Sequence, residues 1–251
     1  MSDGNRAVAL VTGSATGVGR ACVLQFAERG YDVVVNYSRS ATEADETVAA
    51  AEACGVNVLL VQCDVSDDAG VRRMIGEIES RFGRLDVVVN NAATTNFIEH
   101  ADLEGLTEEM WDRMLAVNLK GAFFVTRAAA ALLKTGAGGS VVNVSSVAGI
   151  TGSGSSVAYC ASKGGLNTMT KSLARALAPE VRVNAVCPGP IESRWIRQGN
   201  PDWSIEAMVA EYPIPKPSQP NDIADAVLFF AVGTSMSTGQ LLSVDGGQTL
   251  G

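Results

Sequence analysis

Tyr159 and Lys163 stand four residues apart in a stretch of helical composition, so a helix there would project both from one face. A Tyr-x-x-x-Lys spacing arises easily by chance, and the chemistry it permits is what sets it apart. Reduction of a ketone by hydride leaves an alkoxide that has to be protonated, and a phenol with an ordinary pKa of about 10 matches that task poorly at neutral pH. An ammonium alongside would stabilise the phenolate. Lowering the pKa by about 2–3 units asks for roughly 3–4 kcal/mol, within reach of one partly desolvated cation and its hydrogen bonds. Upstream, Ser146 follows the run Val141-Val142-Asn143-Val144-Ser145. If that run is a strand, the Ser146 hydroxyl lies at its carboxyl end, where ligands sit in open α/β sheets, and could hold a substrate oxygen beside the phenol.

Elements able to position these groups are legible along the chain. Short Val-rich runs alternate with longer Ala-rich segments of helical period, the pattern of a parallel sheet covered on both faces. Strands are expected at 7–12, 32–36, 56–62, 85–90, 140–145, 181–187 and 241–244, and helices at 17–29, 42–54, 69–82, 108–133, 157–177 and 221–231. The fold class predicted is α/β, a Rossmann-type doubly wound, seven-stranded parallel sheet with helices on both faces. No repeat, charge block or low-complexity linker divides the chain, so residues 1–251 are expected to form one domain. One stretch breaks the rhythm: from Pro188 to Pro220 there are seven prolines, two tryptophans and only a short helical patch near Ser204–Glu211. A long connection leaving the carboxyl end of a strand suggests a substrate lid, with an ordered surface loop as the plain alternative.

Directly after the first expected strand comes Thr12-Gly13-Ser14-Ala15-Thr16-Gly17-Val18-Gly19. Glycines between a strand and a helix let the backbone turn tightly and let a pyrophosphate approach the positive helix N-terminus, the signature of a dinucleotide site. The spacing departs from G-x-G-x-x-G, so its place between strand and helix carries the reading. At the end of the second strand, where a carboxylate would grip the adenosine ribose of NAD, the chain reads Asn36-Tyr37-Ser38-Arg39-Ser40. With no carboxylate to repel a 2′-phosphate, and Arg39 with two serines to bind one, NADP(H) is the expected coenzyme and NAD(H) the alternative. Arg39 would serve equally well as a solvated loop charge. Asp64, at the tip of the third strand, is placed to bond the adenine amino group, although an Asp there is also an ordinary helix-start residue.

Composition narrows the field further. Nineteen basic against 27 acidic residues give a net charge of −8, which argues against a nucleic-acid partner. The expectation is a soluble, cytoplasmic protein: no apolar run approaches a membrane span, and the polar start, Met1 to Arg6, does not read as a signal peptide. The five cysteines are widely spaced without a C-x-x-C pair, so reduced thiols and no metal site are expected. His100, the one histidine, is far in sequence from any serine and carboxylate that would need it, and a Ser-His-Asp hydrolase is disfavoured.

Taken together these residues resemble the short-chain dehydrogenase/reductase family from first strand to last. The matching pieces are Thr12-Gly13-x-x-x-Gly17-x-Gly19, Asp64, Asn90-Asn91-Ala92, Asn118, Ser146, Tyr159-x-x-x-Lys163, Pro188-Gly189 and Asp245-Gly246-Gly247. The resemblance implies that Tyr159 is the general acid/base, that Lys163 lowers its pKa and binds the nicotinamide ribose, and that Ser146 orients the carbonyl. It also implies that Asn118 anchors a water-linked proton path through Lys163; fixing a helix kink is the alternative role. The coenzyme would run along Gly13, Ser14, Thr16, Gly17, Val18 and Gly19, past Asn36, Tyr37, Ser38 and Arg39, then Asp64, Val65, Asn91, Ala92 and Ala93. It would end against Tyr159, Lys163, Pro188, Gly189, Ile191 and Ser193. Two positions depart from the family pattern. Ala93 replaces a usual glycine and adds a methyl group at the cofactor or substrate edge, and Ser193 stands where threonine is common, keeping a hydroxyl.

Within the family the chain is similar to 3-oxoacyl-carrier-protein reductases and to reductases of sugars and small ketones. Members that dock an acidic carrier show basic residues on the helices flanking the site, whereas the stretches around Lys134 and Glu180 offer one lysine and an acid. A small or medium ketone is therefore the expected substrate, with Trp195 or Trp203 as an apolar wall. The rivals are the carrier-linked reductase, an NAD-dependent alcohol or sugar dehydrogenase and, from another class, a non-catalytic dinucleotide sensor, which would have no need of Ser146, Tyr159 and Lys163 together. The helices around Gly121–Phe124 and after Tyr159 would pack between copies in a homotetramer or homodimer, or inside a monomer.

Overall fold

The computed structural model describes residues 6–136, 138–193, 196–197 and 204–250. Seven parallel strands, β1 (Val8–Val11), β2 (Asp32–Tyr37), β3 (Val58–Gln62), β4 (Val87–Asn90), β5 (Gly139–Val144), β6 (Val181–Pro188) and β7 (Leu241–Val244), form one sheet in the order 3-2-1-4-5-6-7. Alternate residues of a strand face opposite sides, and here both sides are dry. Ala9 and Val11 pack with Phe26 of α1 (Gly17–Glu28), Ala44 of α2 (Ala41–Glu52) and Val227 of a late helix, whereas Val8 and Leu10 pack with Met74 of α3 (Asp68–Phe82) and Leu133. Two buried faces explain the unbroken valine runs of β2 and β4, whereas the edge strands β3 and β7 keep exposed positions at Gln62 and Leu242.

The stretch expected as one helix over 108–133 is three pieces: α4 (Glu108–Leu115), a π-helical segment (Ala116–Gly121) and α5 (Ala122–Leu133). By length and mean hydropathy Glu108–Leu133 could cross a membrane, but less than half of its most apolar window, 44 %, is buried. Val125, Ala129 and Leu133 nevertheless pack on the sheet, and Met114 and Asn118 are buried as well, so the stretch is used as a core helix. A second π segment, Phe229–Gly233, ends the late helix α9 (Pro220–Leu228). A short α6 (Ala148–Thr151), absent from the sequence expectation, precedes α7 (Val157–Leu177), and the helical patch near 204–211 is α8 (Ile205–Val209), capped by the Ser204 hydroxyl.

Chain direction out of the sheet reverses between β1, which feeds β2 on one side, and the neighbouring β4, which feeds β5 on the other. A crevice opens at such a switch point, at the carboxyl ends of the strands. Asn90 and Asn143 sit side by side in the β4–β5 register and carry a buried polar chain. Asn90 Nδ2 donates to Thr126 Oγ1 (3.0 Å) and Asn143 Oδ1 (2.9 Å), and Asn143 Nδ2 donates to Thr170 Oγ1 (2.9 Å). Helices α5 and α7 are thereby tied to the sheet in one register just below the crevice.

Candidate active site

The glycine turn occupies the switch point. Gly13 has φ +61°, and a Cβ there would lie 2.9 Å from Ala92 Cα; one on Gly19 would lie 2.5 Å from the Gly13 carbonyl. The obstacle in each case is backbone, so neither position accepts a side chain without moving the loop after β4 or the turn itself. Gly17 is different: its φ is +57° and nothing lies within 4 Å of where a Cβ would be. The space before α1 is open, Thr16 makes no side-chain cap, and no acid stands in the first turn. These free amides and the helix dipole suit an anion.

Several residues expected to touch a coenzyme are instead engaged with the protein. Ser14 and Asn36 are buried; the Asn36 N–H donates to Ser14 Oγ (3.0 Å), its Oδ1 accepts from Gly13 N (3.1 Å), and its Nδ2 donates to the Val61 and Cys63 carbonyls. They hold the turn in shape. Asn91 donates through Nδ2 to the carbonyls of Thr12 (3.0 Å) and Gly13 (2.9 Å), while Thr12 Oγ1 accepts from the N–H groups of Asn91 and Ala92. Thr12 thus joins the site as a positioning residue outside the expected set. Val65 is buried, Tyr37 packs on the core, and Ser38 and Arg39 are exposed, the Arg39 guanidinium having no ion pair or hydrogen bond among the described residues. Ala93, Gly189, Ile191 and Ser193 are half-buried, and Pro188 ends β6.

At the carboxyl end of β5, Ser146 and Tyr159 are hydrogen-bonded to each other, and Ser146 Oγ accepts from Ala148 N (3.1 Å). Tyr159 lies in the first turn of α7, whose N-cap Ser156 accepts from the Tyr159 N–H (3.3 Å). One turn on, Lys163 is buried, its Nζ donating to the Val144 carbonyl (2.9 Å) and standing 5.7 Å from the centre of the Tyr159 ring. Burial pushes the phenol up to about 12, against a hydrogen bond to Ser146 that pulls it down. Buried with no carboxylate partner among the described residues, Lys163 is itself pushed down to about 8.

Asn118 is buried in the π segment. Its Oδ1 accepts from Thr94 N (2.8 Å), and its Nδ2 donates to the Thr94 carbonyl (2.9 Å) and Ser162 Oγ (3.0 Å). Both amide hydrogens are taken in clipping the loop after β4 to α7, so a water-linked path through Asn118 would have to use an acceptor lone pair. That loop walls the Tyr159 side of the crevice. Ile98 N donates to the Ser155 carbonyl (2.9 Å), Thr95 and Ser155 hydroxyls meet at 2.5 Å, and His100 Nε2 meets the Gly154 carbonyl at 3.0 Å. His100 therefore has a structural contact, and the site needs no histidine base.

The 188–220 connection is pinned at its base by Glu192 N to the Ser218 carbonyl (2.8 Å) and Ser218 N to the Pro190 carbonyl (3.0 Å), and farther out by Ile214 N to the Gly246 carbonyl (2.9 Å). Trp195 and Trp203, expected as an apolar wall, lie outside the described residues. Lys134 and Glu180, read from sequence as flanking the site, sit instead next to the amino ends of β5 and β6, where the Glu180 carbonyl accepts from Gly139 N, on the opposite edge of the sheet from Ser146. Glu99, Asp102 and Glu104 are exposed on the walling loop, and the 188–220 connection carries exposed Lys216 and an Arg197 paired with Glu192 and Glu206. The cysteines are free thiols, and no cluster of three or more His, Cys, Asp or Glu among the described residues could hold a metal.

A family model described as enoyl-(acyl carrier protein) reductase matches residues 13–249. The chain is 44 % identical over 248 residues to ketoacyl reductase 2 of the granaticin polyketide synthase of Streptomyces violaceoruber, covering 97 % of this chain and 96 % of that one. It is 39 % identical over 241 residues to 3-oxoacyl-(acyl-carrier-protein) reductase FabG of Staphylococcus aureus, covering 95 % of this chain and 96 % of the relative. A crystal structure described as a short-chain dehydrogenase/reductase from Burkholderia xenovorans superposes with a TM-score of 0.92 at 36 % identity, covering 98 % of this chain and 99 % of that one. With family match, relatives and fold in agreement over nearly its whole length, the chain belongs to the short-chain dehydrogenase/reductase family and is an NAD(P)-dependent oxidoreductase of the CH–OH/C=O class.

Proposed function

We propose that the chain interconverts a ketone and a secondary alcohol with NADP(H), Tyr159 acting as general acid and base, Lys163 as its neighbouring cation and Ser146 as the hydroxyl that holds the carbonyl oxygen. One observation carries this reading: the Ser146 and Tyr159 hydroxyls meet at the carboxyl end of β5, with the Lys163 ammonium over the same ring. A carbonyl placed between the two hydroxyls is met by donors already aimed at the charge that develops on its oxygen. Tyr159 gives its proton to that oxygen in reduction and takes it back in oxidation. Its place in the first turn of α7 puts the positive end of a helix behind the phenolate.

The residues present fit a dinucleotide: open space at Gly17, uncapped amides at α1, and an Asp64 carboxylate with an acceptor position left at the tip of β3. When bound, the nicotinamide supplies or accepts the hydride. Arg39, free of protein partners among the described residues, supports a 2′-phosphate and hence NADP(H). We further propose that residues 1–251 act as one catalytic domain with 188–220 as its lid, working in the cytoplasm as a homotetramer. Exposed Phe123, Phe229, Val232 and Leu242 would supply its contacts, and a monomer mass by sedimentation would refute that assembly.

A small or medium ketone is the substrate favoured, because exposed Glu99, Asp102 and Glu104 beside the site oppose an acidic carrier. The second reading, a 3-oxoacyl group on a carrier protein, is supported by the names of the relatives at 39–44 % identity. A panel of ketones and a 3-oxoacyl thioester, run with NADPH and NADH, tests both. Tyr159→Phe is expected to lower turnover about 10²–10⁴-fold while coenzyme still binds; full turnover by that variant would sink the assignment.

A further inference from the structure

Arg113, on the last turn of α4, reaches the tip of β3 with both ends of its guanidinium. Nη2 donates to Asp64 Oδ2 (2.8 Å) and Nη1 to Ser66 Oγ (2.9 Å), while Asp64 Oδ1 accepts from the Ser66 N–H (3.0 Å) and hydroxyl (2.7 Å). The three residues close a ring. A carboxylate has about four acceptor positions, and three are filled, so one lone pair on Oδ2 remains, in a direction that the ring fixes. Burial alone would raise the Asp64 pKa, but its bonds to Ser66 and Arg113 hold the carboxyl below its usual range, so it stays an acceptor. Arg113 belongs to the continuous helical element that carries Asn118, and Gly121 of that element packs directly on Val65, where a Cβ would come 2.7 Å from Val65 Cγ2. The tip of β3 and the Tyr159 helix are therefore bolted to the same element.

We propose that Arg113 is a positioning residue for the adenine end of the coenzyme, presenting the one open Asp64 lone pair to the adenine amino group and offsetting the Asp64 charge toward a polyanionic dinucleotide. This rests on the dinucleotide reading above. A carboxylate facing an amino group attracts; the same carboxylate facing a carbonyl repels, so the contact reads the base and not merely its presence.

The test is isothermal titration of the whole protein with NADPH and with its hypoxanthine analogue, in which a carbonyl replaces the adenine amino group. The wild type is expected to prefer NADPH about tenfold, the scale of one charge-assisted hydrogen bond to a carboxylate that is 38 % exposed. Arg113→Gln is expected to cut that preference to about threefold or less, with Arg113→Lys between the two. The ratio is taken within one sample, so a partly unfolded variant does not distort it. An unchanged ratio in Arg113→Gln beside a collapsed ratio in Asp64→Asn overturns the role of Arg113 and leaves the dinucleotide site standing. A wild type with no preference overturns the Asp64 contact and the inference with it, and a wild type that binds neither NADPH nor NADH overturns the underlying reading.

Discussion

The buried ammonium of Lys163 sits in the molecule under a cost that depends on pH. Its pKa of about 8 lies below the ordinary 10.5, so folding favours the neutral amine. A depressed pKa contributes stability that is fully present above the unfolded value and lost as pH falls through the folded one. Between pH 10.5 and 8 the coenzyme-free protein should therefore lose roughly 3 kcal/mol from this group. Tyr159 works in the opposite sense and in a different window: its raised pKa contributes stability present below about pH 10 and lost as pH climbs toward 12. Urea melts of Lys163→Met against wild type at pH 7, 8.5 and 10 separate the two. The variant forfeits about 1 kcal/mol for the hydrogen bond to the Val144 carbonyl, yet should be the more stable protein at pH 7, with the margin shrinking as pH rises. A difference between the two proteins that does not vary with pH would show that Lys163 titrates normally. The same groups mark how far residue types alone could be read. Spacing put Tyr159 and Lys163 on one helix face and Ser146 at a strand end, but the sign of the phenol shift depends on burial, and the Asp64–Arg113 pair bridges 49 residues with no local signal.

Elements were legible where both faces of a strand are dry, because short runs such as Val33-Val34-Val35 and Val87-Val88-Val89, alternating with helical segments, fit a covered parallel sheet. The π segments were not, since one inserted residue shifts the helical phase without changing composition, and its reason, Asn118 facing Thr94 and Ser162 together, exists only in three dimensions. Nor was the Thr126–Asn90–Asn143–Thr170 chain: asparagine in a strand reads only as a poor strand former until the parallel register puts Asn90 beside Asn143. That chain makes a strong demand on the fold. Asn143 is fully buried and joins β4 to α7 through one side chain, so Asn143→Ala takes one of its acceptors from the Asn90 amide, which keeps Thr126, and removes the sheet-side donor from Thr170. The expected loss is about 2–3 kcal/mol, larger than a solvated hydrogen bond would give because the orphaned groups stay dry. Chemical denaturation checks it; a loss under about 0.5 kcal/mol, the size of a surface substitution, would mean that the Asn143 amide adds little to the other ties of α7 to the sheet.

At the scale of the whole molecule, charge bears on which form of substrate can reach the site. The chain carries a net −8, and the loop that walls the Tyr159 side of the crevice adds Glu99, Asp102 and Glu104 at its rim. An acidic carrier approaching this face meets like charge over roughly a Debye length, about 8 Å at physiological salt, which slows encounter more than it alters the chemistry after docking. A free thioester bearing the same 3-oxoacyl group feels almost none of this. Two measurements follow from the difference. Raising ionic strength should increase kcat/KM for the carrier-linked substrate, by screening repulsion, and leave the free thioester nearly unchanged. Replacing Glu99 and Glu104 together by Gln should raise the carrier-linked value about two- to fivefold at low salt, again with little effect on the free substrate, as expected for exposed charges acting on association. If salt instead lowers kcat/KM for the carrier-linked substrate, the docking face is attractive, and the carrier-dependent reading prevails over the small-ketone one.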